Sequence, residues 1–245
     1  MSFKLELSDT SIFKSAFEAV SAIVDEIVCV IDSEGFRVTA MDRSHISFVQ
    51  LDLKPTVFDE FECSEPEKLN IDTSEFMKIL KRMKNSDVLK LSDEEGNLVI
   101  KFVGDAEREF KLRLIDMEYE IPQPPHLEPP VTVNVPSNLV NECLKDMAIF
   151  SEKTYFVVDQ DYFKVVTDGE FGAVDAQYLH GEDVNEVVKS CYSIPKLQEM
   201  YKASKFSDIC EISLGTNMPL ILKFKLVSDD GEISFLLAPR LESDE

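Results

Sequence analysis

The chain has 245 residues, 44 % of them hydrophobic, and a formal net charge of −22. That length supports one large or two ordinary domains with real cores. The charge excludes a uniformly basic nucleic-acid binder, so any contact with phosphate must come from where the 25 basic residues are placed. Cys29, Cys63, Cys143, Cys191 and Cys210 are odd in number and widely spaced, as expected of reduced thiols filling cores. The opening run MSFKLELSD lacks the apolar core of a signal peptide, and charge interrupts every apolar run. The expectation is therefore a protein that stays inside the cell, with no membrane span.

The chain opens on a short alternating strand, followed by an amphipathic helix that buries Phe13, Ala16, Phe17 and Val20 and carries Lys14 on its flank. Several strands follow, among them GFRVTAMD at 35–42. A second helix places Phe76, Ile79, Leu80 and Met83 on its buried stripe and Lys78, Lys81 and Arg82 on the opposite side. Its stretch FMKILKRMK holds four basic residues and no acid. Asp-Glu-Glu-Gly at 93–96 reads as a hairpin turn into a strand at 98–103.

Five prolines, Pro122, Pro124, Pro125, Pro129 and Pro130, then rule out helix or central strand and mark an extended linker. A second half repeats the order. Its first helix, the third of the chain, is expected to bury Leu139, Cys143 and Met147 with Lys145 pointing away. Strands at 155–158 and 163–167 follow. The fourth helix buries Leu197, Met200, Tyr201 and Ser204 with Lys202 across from them. The chain closes on a strand at 220–227 and a turn at Asp229-Asp230-Gly231. YFKVVTDG at 162–169 parallels GFRVTAMD, and LQEMYKASKFSDICEIS at 197–213 parallels FMKILKRMKNSDVLKLS at 76–92, so the chain reads as a duplication. The fold class is α+β, two topologically similar domains over 1–116 and 131–245 with a linker at 117–130.

Catalytic chemistry finds no foothold. Eight scattered glycines build no phosphate cradle, and His45, His126 and His180 have no partners at metal-ligand spacing. The Asp-Asp-Gly turn lacks the acidic ladder of a calcium loop, and no acid pair stands out among 47 carboxylates. No enzyme, cofactor or metal is expected; a hydrolase with a diffuse carboxylate site is the competing reading from another class.

The string GFRVTAMDRSHISFVQLDL at 35–53 closely resembles the signature segment of the proliferating cell nuclear antigen family, the DNA polymerase sliding clamps of archaea and eukaryotes. LNIDTSEFMKILKR at 69–82, FKLRLID at 110–116, NMPLILKFKL at 217–226 and FLLAPRLESDE at 235–245 extend the resemblance along the whole chain. The resemblance implies a DNA clamp fold, with helices lining a central channel and antiparallel sheets outside, closed as a homotrimer or heterotrimer into a ring. Such a ring is a processivity factor for replication and repair that encircles duplex DNA without reading sequence. It would tether DNA polymerase, flap endonuclease and DNA ligase through short peptides and be opened by a clamp loader. A checkpoint-type specialised clamp is the alternative within the family. The compartment would be cytoplasm or nucleoid in an archaeon and nucleus in a eukaryote.

Residue by residue, the resemblance implies DNA contacts at Lys14, Lys78, Lys81, Lys145 and Lys202; helical position adds Arg82. Glu142 stands where eukaryotic members carry a basic residue, which implies a weaker contact from the third helix. Partner peptides would dock on Met41, His45, Ile46 and Phe48, on Tyr119 and Ile121 of a linker shorter than in eukaryotic members, and on Pro219, Leu236, Ala238 and Pro239. Subunits would meet through Phe110, Leu112 and Leu114 on one strand and Val174, Ala176 and Tyr178 on another.

Overall fold

A computed structural model describes residues 2–116, 121–184 and 186–241. The first half runs β1 (Phe3–Leu7), α1 (Thr10–Ile23), β2 (Glu26–Asp32), β3 (Gly35–Met41), β4 (Ser47–Leu53), β5 (Glu60–Cys63), β6 (Glu67–Asp72), α2 (Thr73–Leu80), β7 (Val88–Glu94), β8 (Asn97–Val103) and β9 (Glu107–Arg113). The second repeats it without β5: β10 (Val131–Pro136), α3 (Ser137–Met147), β11 (Lys153–Val158), β12 (Tyr162–Gly169), β13 (Gly172–Leu179), β14 (Val188–Ser193), α4 (Ile194–Met200), β15 (Ile209–Leu214), β16 (Leu220–Lys225) and β17 (Gly231–Leu237).

The strands form three sheets in the orders β5-β1-β7-β8-β9, β10-β15-β16-β17-β4-β3-β2-β6 and β13-β12-β11-β14. Every pairing is antiparallel, as short β-branched runs joined by tight turns favour. One turn, Glu95-Gly96, has both residues at positive φ, the geometry that two-residue hairpins prefer. The eight-stranded sheet is where the halves fuse: β17 pairs with β4, from Gly231 opposite Leu53 to Leu237 opposite Ser47.

The four helices touch in the order α2, α1, α4, α3 and form one layer against the sheets. Asp9 caps α1 by accepting from the Ser11 amide, and Asp72 caps α2 by accepting from those of Ser74 and Glu75. Phe13 and Phe17 of α1, Phe36 of β3 and Phe76 of α2 meet mostly edge to face, Phe17 and Phe76 at 4.9 Å, and lock these helices onto the sheet.

Four details differ from the sequence reading. In α2 Met77 is buried, while Ile79 packs half-buried beside the stripe. The stripe of α3 is Val140, Leu144 and Met147, while Leu139 and Cys143 pack half-buried beside it. Lys81, Arg82 and Lys202 lie just past the α-helices, since α2 ends at Leu80 and α4 passes at Tyr201–Lys205 into a 3-10 turn. The strand expected over 220–227 stops at Lys225, because Leu226 and Asp229, the latter at φ 58°, turn the chain.

Candidate nucleic-acid and partner interfaces

The exposed side of the helix layer carries charge of the opposite sign to the chain. The helices and their trailing turns, residues 10–23, 73–84, 137–147 and 194–205, hold nine Lys or Arg and five Asp or Glu, a net of +4, leaving −26 on the remainder. Lys78, Lys81, Arg82, Lys145 and Lys202 are exposed and Lys14 is half-buried on its flank. Glu75 accepts from Lys78 at 2.5 Å and Glu142 from Lys145 at 2.6 Å, each three residues earlier on the same helix. Those pairs are solvent-exposed and contribute little, so they leave the lysines easily redirected. Among the described residues Lys14, Lys81, Arg82 and Lys202 form no ion pair. Lysines on smooth helices, with no groove-filling element, suit contact with a backbone rather than with base edges.

On the sheet side, Met41, His45, Ile46, Phe48, Pro219, Leu236 and Ala238 line one apolar depression of about 100 Å³ at the end of the β4–β17 pairing, where Leu236 stands opposite Phe48. The linker contributes Pro125, which nothing in its run of prolines distinguishes. Ile121 and Pro239 do not line the depression, and Tyr119 lies outside the described residues.

Asp42, only 8 % exposed, builds this wall. Its Oδ1 accepts from the Ile46 and Ser47 amides at 2.8 and 2.9 Å, its Oδ2 accepts from Ser44 Oγ at 2.6 Å, and Lys196 Nζ stands 3.7 Å away. The tight loop carries His45 through φ 57° and leaves Ile46 44 % exposed on the rim. Burial pushes the Asp42 carboxyl up, but the bonds from Ser44, Ser47 and Ile46, together with Lys196, outweigh it and hold the group below its usual range. The Ala238 amide donates to Ile46 O at 2.9 Å and fastens the loop to the far wall, while Tyr192 Oη donates to Met218 O at 2.9 Å and fixes the turn before Pro219.

The strands β9 and β13 are edges: among the described residues each pairs on one side only. Phe110, Leu112, Leu114, Val174, Ala176 and Tyr178 are half-buried against the core. Among the described residues no group of three or more metal-ligating side chains gathers, and no helix is long and apolar enough to cross a membrane. Burial raises the thiols of Cys29 and Cys210, the opposite of what a nucleophile needs.

These features define a class, the DNA clamp fold. The chain aligns with the crystal structure of proliferating cell nuclear antigen from Thermococcus kodakaraensis at a TM-score of 0.90 and 26 % identity, over 97 % of this chain and 100 % of that one. It shares the fold of the Entamoeba histolytica protein at a TM-score of 0.91 and 24 % identity, over 98 % and 99 %. Models of the N-terminal and C-terminal domains of proliferating cell nuclear antigen match residues 2–122 and 124–240. The DNA polymerase sliding clamps of Methanobrevibacter smithii and Methanothermobacter thermautotrophicus are 54 % and 50 % identical, each over 99 % of this chain and 100 % of the relative. The chain belongs to the proliferating cell nuclear antigen family: it is a sliding clamp, a processivity factor and not an enzyme. Nothing in the comparisons supports the checkpoint-type alternative.

Proposed function

We propose that three copies of this chain, or of it and close relatives, join head to tail in a ring around duplex DNA, with β9 of one subunit pairing to β13 of the next. The observation that carries this is internal. By element order β17 corresponds to β9 and β4 to β13, so the β17–β4 pairing inside the chain is the contact that the β9 and β13 edges would make between chains. A heterologous contact of this kind repeats until rotation closes it. Matching the halves strand by strand sets Ile233 and Phe235 against Arg108 and Phe110, and Val49, Leu51 and Leu53 against Val174, Ala176 and Tyr178. Transferring Ile233 opposite Leu51 and Phe235 opposite Val49 puts Arg108 opposite Ala176, Phe110 opposite Val174 and, on the outer face, Lys111 opposite Ala173.

In such a ring the cationic helix layer faces the hole and the acidic remainder faces outward. Lys14, Lys78, Lys81, Arg82, Lys145 and Lys202 would touch phosphates weakly and without regard to sequence, which permits sliding. Topology holds the ring on. The apolar depression, to which Pro125 of the linker contributes, takes a short peptide bearing aliphatic and aromatic anchors. Replicative DNA polymerase, flap endonuclease, DNA ligase and the clamp loader would compete for it inside the cell.

The contact is tested by a Lys111→Cys, Ala173→Cys double variant. Under oxidation it should give disulfide-linked species ending at the trimer on a non-reducing gel, while neither single variant does so. Tyr178→Arg should sediment as a folded monomer or open oligomer, and a Tyr178→Arg protein that stays trimeric at low micromolar concentration would place the contact elsewhere.

A further inference from the structure

We infer that each subunit carries a cationic subsite beside the apolar depression, which takes a carboxylate of the same partner peptide. This rests on the peptide-docking reading above. A cavity of about 320 Å³ opens next to the depression and includes Tyr155, Lys189, Thr216, Asn217, Arg240 and Leu241 in its lining. The same two segments wall both spaces: Asn217 lies two residues before Pro219, and Arg240 lies two residues after Ala238. Two extended residues span about 7 Å, so one extended peptide reaches from one space into the other.

The charge of this cavity sets it apart. On a chain with 47 acidic and 25 basic residues, the described residues that line it include Lys189 and Arg240 and no carboxylate. Among the described residues neither Lys189 nor Arg240 forms an ion pair. The Lys189 ammonium sits 4.1 Å from the centroid of the Tyr155 ring, with Lys153 at 5.8 Å from the same ring. That ring holds positive charge at the cavity wall without neutralising it. The backbone is pinned as well, since the Arg240 amide donates to Cys191 O at 2.8 Å. A guanidinium and an ammonium on a fixed wall, beside a groove for peptide anchors, match an Asp or Glu flanking those anchors. On a chain of net charge −22 this local excess of positive charge selects among peptides that carry the same anchors.

The experiment compares two synthetic peptides with identical aliphatic and aromatic anchors, one flanked by two Glu and one by two Gln, on the full chain and on a Lys189→Glu, Arg240→Glu variant. In calorimetry at low salt the Glu peptide should bind the full chain about fivefold tighter than the Gln peptide, as two partly exposed charge pairs allow. In the variant the preference should vanish or reverse while the Gln peptide keeps its affinity. The Glu peptide should also protect Lys189 from an amine-reactive reagent, read by mass spectrometry, and the Gln peptide should not. Equal affinities and equal labelling on the full chain would overturn the subsite while leaving the depression standing. Failure of both peptides to bind would remove the depression; the subsite then survives only if a Glu peptide with both anchors replaced by Ala still protects Lys189. A preference seen only after deletion of residues 242–245, Glu-Ser-Asp-Glu, would assign the site to the chain's own acidic segment instead of a partner.

Discussion

At the centre of the eight-stranded sheet β4 and β17 bury Val49, Leu51, Ile233 and Phe235 completely. At the open edges their counterparts Val174, Ala176, Arg108 and Phe110 remain half exposed. The strands alternate in the same way and face the same helix layer; the inner pair has a neighbouring strand that the outer pair lacks. An open edge with a ready apolar face is a template for pairing, and proteins that keep one normally block it or use it. The connections at the end of these strands differ too. Between β12 and β13 lie only Glu170 and Phe171, whereas between β3 and β4 lies the five-residue loop Asp42–Ile46. The closed junction therefore has a loop that walls the depression, and the equivalent place on the open edge, with two residues between its strands, has no such loop.

The largest effect should come from placing one charge in both junctions. Leu51→Arg puts an unpaired charge in the closed one, at a cost of roughly 3–5 kcal/mol against a total stability of about 5–15. It should abolish the cooperative melting transition, whereas Ala176→Arg should leave melting nearly intact and remove only the trimer in sedimentation. If both unfold, Ala176 is part of its own subunit's core and not of a contact between subunits.

Next is the loop that only the closed junction has. Asp42→Ala strands the Ile46 and Ser47 amides and should cost about 1–3 kcal/mol in urea unfolding at pH 7. Since the folded-state carboxyl titrates below its unfolded value near 4, this contribution is present above that pH and lost as pH falls through the folded value. Variant and parent should thus converge in stability as pH falls below the folded value. A gap that persists there would assign the effect to packing rather than charge.

A smaller change is expected at the depression. Ile46→Ala with Leu236→Ala should weaken an anchored polymerase-tail peptide at least tenfold, about 1.4 kcal/mol, with the ring mass unchanged. Parental affinity in the folded double variant would move docking elsewhere, with the acidic run Glu242 to Glu245 as the first place to look. The mildest effect should follow Lys81→Glu with Arg82→Glu: folding unchanged, clamp-stimulated synthesis reduced severalfold, and the loss growing as salt is lowered. Unchanged stimulation at physiological salt would take these residues out of the channel.

Periodicity made the stripes of α1 and α4 and most strands legible, because Phe13 and Phe17, and Leu197 and Tyr201, recur four residues apart; in α2 it found Phe76, Leu80 and Met83 but put Ile79 where Met77 is buried. In α3 four adjacent apolar residues, Leu139, Val140, Cys143 and Leu144, pave a broad face, and periodicity does not say which pair sits at its centre. The packing centres it on Val140 and Leu144. The β17–β4 register was not legible at all, since nothing local ties residue 231 to residue 53. The wall residues Met41, Ile46 and Leu236 were reached only through resemblance, because an apolar residue at the rim of a depression looks like any other core residue in a string. Asp42 belonged to the quoted motif, but its work as the acceptor that shapes the loop is visible only in three dimensions.

Pairing β17 with β4 also orders events in time. Gly231 follows its partner Leu53 by 178 residues, so a ribosome adding about 5–20 residues per second leaves the β4 edge waiting roughly ten to forty seconds. Closing so long a loop is slow by its own topology as well. During that interval the nascent first half displays at β4 the same sort of apolar edge that the finished chain displays at β13. An incomplete polypeptide could then engage the β9 edge of a finished subunit in place of its own missing strand. In the proposed ring, translation that stalls between the two strands would yield a capping fragment, and full-length synthesis would act as a checkpoint on assembly.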